Sequence, residues 1–174
     1  MAEPLIDFVA LGEQVLPGVP TLRCVPLAEP NCSALYVRRR EAVRSSACEW
    51  LCFVDGGDDV IGPGFVPAMH VLALRARDRG QTIGWAAETV HGKLDPRSHP
   101  HHGVVCRVAA LRTIAWPEGC HHWEAIAYGV LKRGGHVFDP VPRYDWRPGP
   151  GGARLWPTTR TGIGNSMRWL RENR

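Results

Sequence analysis

No apolar run in this sequence approaches the roughly 20 residues that a transmembrane helix needs. The opening residues Met1-Ala2-Glu3-Pro4 are acidic and lack the basic and apolar stretch of a secretory or transit signal. Cysteines in C-x-x-C spacing are missing as well. The six present, at positions 24, 32, 48, 52, 106 and 120, are scattered, and Cys52 and Cys106 sit among apolar neighbours. They read as reduced, mostly buried thiols in a cytoplasmic protein. There is no internal repeat and no large excess of one charge; the net charge of +4 is weak support for an acidic partner.

What is there suits a soluble globular chain. The 44% hydrophobic and 22% charged fractions are ordinary, and 174 residues suffice for one domain with a substantial core. Charge is unevenly placed. Residues 1–30 carry Glu3, Asp7, Glu13 and Glu29 against Arg23, and residues 158–174 carry Arg160, Arg168, Arg171 and Arg174 against Glu172. The second group makes a basic tail, which reads first as a solvated segment and secondly as a contact for phosphate, lipid headgroups or nucleic acid.

Periodicity and breakers divide the chain into alternating elements. Leu5 to Leu11 and Thr21 to Leu27 read as strands, joined by a loop through Pro17, Gly18 and Pro20. Ser33 is a candidate cap for a helix running to about Ala47. Trp50 to Val54 reads as a buried strand. Phe65, Val66, Met69, Ala73 and Ala76 recur at helical spacing, with Pro63 at the entry and Gly80 at the exit. Thr82 to Val90 reads as one strand, 91–103 as a polar loop, Val104 to Arg107 as a short extended run, and Arg107 to Ile114 as a helical turn or two. Trp123, Ile126, Ala127, Val130 and Leu131 form a helical stripe closed by Gly134-Gly135, and His136 to Phe138 returns as a strand. Residues 149–174 are a Pro/Gly-rich linker and basic tail, which leaves 1–148 as the folded domain. The alternation predicts an α/β fold with a mostly parallel sheet covered by helices on both faces.

The stretch richest in chemistry follows the third strand: Asp55-Gly56-Gly57-Asp58-Asp59. Open α/β sheets bind ligands at the carboxyl ends of their strands. Clustered carboxylates suit a hard divalent cation that also touches phosphate. An Asp/Gly turn with no ligand is the plain alternative.

The order of features resembles the family 2 glycosyltransferases, which have the GT-A fold. The resemblance rests on Asn31-Cys32-Ser33-Ala34-Leu35, the basic helix Arg38 to Arg44, the strand into Asp55 to Asp59, and the run to Phe65. It continues through Gly103-Val104-Val105-Cys106-Arg107, His121-His122-Trp123-Glu124 before Lys132-Arg133-Gly134-Gly135, and Tyr144-Asp145-Trp146-Arg147, which is similar to a final Y-x-x-R element. By this resemblance the chain starts at the family's second strand, as an N-terminally reduced member. The aspartate motif holds one residue more than the family's D-x-D-D, and Glu124 stands one place beyond the family's Glu-Asp pair.

The resemblance implies a nucleotide-sugar donor, a Mn²⁺ or Mg²⁺ cofactor, and transfer to an acceptor hydroxyl with inversion. The acceptor, whether glycan, protein or modified DNA, and the oligomeric state are open. Asp58 and Asp59 would hold the cation and Asp55 would contact the donor. Arg38, Arg39 and Arg40 are candidates for contact with the diphosphate or an acidic acceptor, although a solvated helix face is the plainer reading of them. Glu124 is the candidate general base and His122 its rival, since an imidazole titrates near neutrality. A zinc site from His99, His101, His102, Cys120, His121 and His122 is the weaker reading of the histidines, because no pair has finger spacing. Two alternatives stand beside the enzyme: a non-catalytic GT-A-like binding protein, and a nucleic-acid-associated transferase acting on modified DNA.

Overall fold

The structure, a computed structural model, describes residues 5–11, 23–25, 32–55, 59–94, 103–114, 116, 129–130, 134–147 and 168. In chain order these form β1 (Ile6–Leu11), β2 (Arg23–Val25), α1 (Cys32–Ser45), β3 (Trp50–Asp55), β4 (Asp59–Ile61), α2 (Phe65–Asp78), β5 (Ile83–Ala86), β6 (Thr89–Val90), β7 (Lys93–Leu94), β8 (Val104–Arg107), α3 (Val108–Thr113), β9 (His136–Asp139) and β10 (Tyr144–Trp146). The expected helix after Trp123 lies largely outside the described residues, although 129 and 130 are helical. The boundary at 148/149 lies outside them too.

The main sheet has the order β2-β1-β3-β8-β5-β9. Neighbours pair in parallel except at β8, which runs against both β3 and β5. β1, β2 and β3 therefore share one sheet with β3 inside it, as the apolar runs predict; of the run expected over 21–27 only Arg23–Val25 is described. Their side chains alternate between two cores. Ile6, Phe8 and Ala10 of β1 and Trp50, Cys52 and Val54 of β3 face α2 with Phe65, Met69 and Leu72. Val9, Leu11, Leu51 and Phe53 face the other way, with Tyr36 and Val43 of α1 and Leu111 of α3. Each strand is apolar on both sides because helices cover both sides of the sheet.

Local chemistry fixes where elements stop. Pro67 sits in the first turn of α2, where its missing N–H leaves no intrahelical bond unmade. At the other end Gly80 has φ +65°, its N–H reaches Arg77 O at 3.0 Å, and Gln81 N–H reaches Ala76 O at 2.7 Å. That is a Schellman closure, and it ends the helix where Gly80 predicts. Gly84 allows the close seat of α2 on β5: a Cβ there would lie 3.0 Å from Leu72 Cβ and 3.2 Å from Leu72 O. α1 begins at Cys32, so Ser33 lies within its first turn rather than ahead of it.

Three expectations change. Thr82 to Val90 is not one strand. It breaks at Ala87-Glu88, with β5 in the main sheet and β6 in a second, four-stranded sheet of order β4-β10-β6-β7. The break is stabilised by backbone bonds from Ala87 N–H to Asp139 O, 2.8 Å, and from Arg143 N–H to Ala87 O, 3.3 Å. The aspartate segment does not turn straight into a helix; it first enters β4. The loop after residue 90 opens as a hairpin, with His91 and Gly92 both at positive φ, as a two-residue turn between twisted strands requires.

Candidate active site

The position of β1 defines the site. β1 pairs with β2 on one side and β3 on the other, both parallel. The chain leaves β1 for one side of the sheet and returns through α1 to the other. That is the switch point at which doubly wound sheets open a crevice beyond their carboxyl ends. Here the last residues of the two strands, Leu11 and Asp55, pair in register. β1 thus lies at the switch point of the sheet, between β2 and the strand that leads into the aspartate run.

The second sheet stands over the same end. β3, β5 and β9 are mutually parallel, and each feeds one strand of the second sheet after a few residues: β3 leads to β4, β5 to β6, and β9 to β10. Within it β10 runs antiparallel to β4, with Trp146 opposite Asp59, Asp145 opposite Val60 and Tyr144 opposite Ile61. Two motifs separated by more than eighty residues in sequence, the aspartate run and Tyr144-Asp145-Trp146-Arg147, are therefore neighbouring strands.

Side chains tie this layer together. The Tyr144 hydroxyl donates to Glu88 Oε2, both residues being buried. The Tyr144 ring meets Phe65 edge-on at 6.1 Å, and it lies where a Cβ on Gly103 (φ +56°) would come within 2.5 Å. Asp145 accepts from Thr89 Oγ1 at 2.7 Å, from Gly92 N–H at 2.8 Å and from Arg147 Nε at 2.6 Å. The Gly92 and Thr89 bonds, with Arg147, favour the carboxylate and hold its pKa at about 2. Asp139 binds Arg143 Nε at 3.0 Å and the Val141 N–H at 3.0 Å. Asp145 and Asp139 are thus structural anions, satisfied by local donors.

Of the residues expected at the site, the backbone places Asp55 at the end of β3 and Asp59 at the start of β4, so the intervening segment with Asp58 joins the two sheets. Asp58, Glu124 and His122 lie outside the described residues, as do His99, His101, His102, Cys120 and His121. Arg38 is exposed and ion-paired to Glu41 at 2.9 Å. Arg39 is buried, its guanidinium 5.6 Å from the centre of the Phe53 ring, two residues before Asp55 on β3. Among the described residues no three His, Cys, Asp or Glu side chains form a metal-binding group. The chemistry of the strand-end segment, oxygen donors alone, suits Mg²⁺ or Mn²⁺ rather than a softer metal. Cys52 and Cys106 are buried thiols outside any disulfide, and burial pushes the Cys106 thiol well above its usual pKa, so it is inert at neutral pH.

Sequence reasoning missed Glu88. Its signal was present: it is the one charged residue between Ile83 and Val90, and a carboxylate inside an apolar run needs a partner when buried.

A mostly parallel sheet with helices on both faces, carrying a second small sheet over its carboxyl end, is the fold of the GT-A nucleotide-sugar transferases. The structure is similar to that of S. aureus TarS 1-349 in complex with UDP, with a TM-score of 0.54 and 15% identity over 82% of this chain and 48% of that one. It is also similar to glucosyl-3-phosphoglycerate synthase from Mycobacterium tuberculosis in complex with Mn²⁺, UDP-glucose and phosphoglyceric acid, with a TM-score of 0.57 and 14% identity over 86% of this chain and 61% of that one. At such identities the likeness establishes the fold. This chain spans about half the length of TarS 1-349. No protein-family profile and no curated protein sequence matches it. Among the described residues no helix is long and apolar enough to cross a membrane.

Proposed function

We propose that this chain transfers a sugar from a nucleoside-diphosphate sugar to an acceptor hydroxyl, with inversion and with Mn²⁺ or Mg²⁺ as cofactor. The observation that carries this reading is the pairing of Leu11 with Asp55 at the switch point, with the aspartate segment leading from there into the second sheet. The fold shared with proteins solved with UDP and with Mn²⁺ and UDP-glucose supports it.

In this reading Asp58 and Asp59 hold the cation and Asp55 contacts the donor. A cation held by these carboxylates would supply positive charge to the diphosphate leaving group. Arg38 and Arg39 of α1 are the candidate cations for the donor side; Arg38 is ion-paired to Glu41 on the exposed helix face, and Arg39 is buried. Glu124 accepts the proton of the acceptor hydroxyl as that oxygen bonds to the anomeric carbon and the bond to the diphosphate breaks; His122 is the rival base. Glu88, Tyr144 and Asp145 keep β10 and the β6–β7 hairpin in place beside β4.

The test is UDP binding by thermal shift, with and without Mn²⁺. A ligand that binds only the native state raises the melting temperature. The reading expects a shift with UDP and Mn²⁺ together that Asp58→Ala abolishes while circular dichroism stays unchanged. Shifts that ignore Mn²⁺, or that persist in Asp58→Ala, reject the metal assignment. No shift with any nucleoside diphosphate rejects the donor.

A further inference from the structure

α1 joins two parallel strands, so it runs back along the sheet and ends near Trp50, the amino end of β3. α3 starts at the same end: Arg107 pairs with Trp50, and Val108 N–H bonds to Glu49 O at 2.9 Å. Between the two helices lies a cleft of about 190 Å³ lined by Arg40, Val43, Arg44, Arg112, Ile114 and Trp116. Five residue steps of β3, about 17 Å at strand rise, separate this end of the sheet from Asp55.

Three of the six described residues lining the cleft are arginines. Arg112 has a structural task. Its Nε reaches Val43 O at 3.3 Å, and its Nη2 reaches Arg44 O at 3.1 Å and Ser46 O at 2.8 Å. A cation there satisfies the open carbonyls at the end of α1. Nη1 takes no part in those bonds. Arg40 and Arg44 stand four residues apart on one face of α1, where like charges repel. No carboxylate is among the described residues lining the cleft, and the nearby Glu41 is bonded to Arg38. Val43, Ile114 and Trp116, whose ring is tilted against Tyr36 at 5.4 Å, supply apolar wall beside the three arginines.

We propose that this cleft binds the phosphate end of a phosphate monoester whose adjoining group is apolar or ring-shaped. Guanidinium groups match phosphate oxygens in forked, charge-assisted bonds; Arg40 and Arg44 would supply the forks, with Arg112 contributing its charge and Nη1, and this concentration of positive charge favours a dianion over a monoanion. The volume is below the usual range of about 300–1,000 Å³ for drug-sized ligands, so the cleft takes one phosphorylated end rather than a whole nucleotide sugar. The site lies at the opposite end of the sheet from the proposed donor crevice and does not depend on that reading.

The experiment uses the full chain at about pH 7.5, above the second phosphate pKa of about 6. Phenyl phosphate, inorganic phosphate, benzoate and a short DNA duplex are each titrated by calorimetry, with and without UDP and Mn²⁺. The proposal expects phenyl phosphate to bind more tightly than inorganic phosphate, benzoate to bind more weakly than either, and none of this to change with UDP and Mn²⁺. Arg40→Gln/Arg44→Gln, both near the helix surface, should weaken phenyl phosphate at least about tenfold with an unchanged melting temperature. Arg44→Lys should recover part of the loss caused by Arg44→Gln. Absence of phenyl phosphate binding, equal binding by the double variant, or competition by UDP overturns the proposal. Binding of the duplex alone overturns it too, in favour of a nucleic-acid surface.

Discussion

Tyr144→Phe removes one hydroxyl and keeps the ring. The edge-on contact with Phe65 and the fit against Gly103 survive, so the loss falls on the hydroxyl and its bond to Glu88. Glu88 is only 6% exposed, so water does not replace the missing donor freely. A hydrogen bond to a charged group is worth about 1.5–3 kcal/mol, and a buried acceptor left short of a donor sits toward the upper part of that range. For a domain of this size each kcal/mol moves the melting temperature by about 2–4 °C, which predicts a fall of about 3–12 °C. Thermal and urea unfolding followed by circular dichroism measure it. Tyr144 and Glu88 are in direct contact, so Tyr144→Phe and Glu88→Gln should be non-additive: the double variant should be less destabilised than the two single changes added together. A Tyr144→Phe protein within about 0.5 kcal/mol of wild type would refute the argument, since that is the scatter of surface substitutions.

Further outcomes follow from the same layer. Asp145 has its pKa depressed from 3.8 to about 2, so its stabilisation is complete above pH 3.8 and drains as pH falls toward 2; Asp145→Asn should flatten the stability–pH curve over that window. Gly103→Ala should destabilise by about 2 kcal/mol or more, because φ is +56° and the new Cβ meets the Tyr144 ring; an unchanged urea midpoint would contradict that close approach. With donor and acceptor in hand, Glu124→Gln should keep donor binding and lower transfer by about 10²–10⁴-fold. Wild-type transfer in Glu124→Gln together with loss in His122→Ala would move the base to His122.

The sequence by itself determined the elements whose signal is local. The apolar runs of β1 and β3 are legible because both sheet faces are covered, and α2 because its stripe, its early prolines and Gly80 all agree. The aspartate run after β3 was legible as a segment leaving a strand end for the same reason: it adjoins a recognisable strand. The tertiary structure alone decided what depends on distant partners. It placed β1 at the switch point, because strand order is set by which edges pair and not by anything within the strand. It split the run from Thr82 to Val90, because Ala87 bonds to Asp139 and Arg143 rather than continuing the main sheet. It set β10 beside β4, and with it the Glu88–Tyr144 contact, because residues 56 apart are joined only by the folded layer. Three arginines around one cleft likewise required α3 to pack on α1, since Arg112 is 68 residues from Arg44 and nothing in either helix alone names the other.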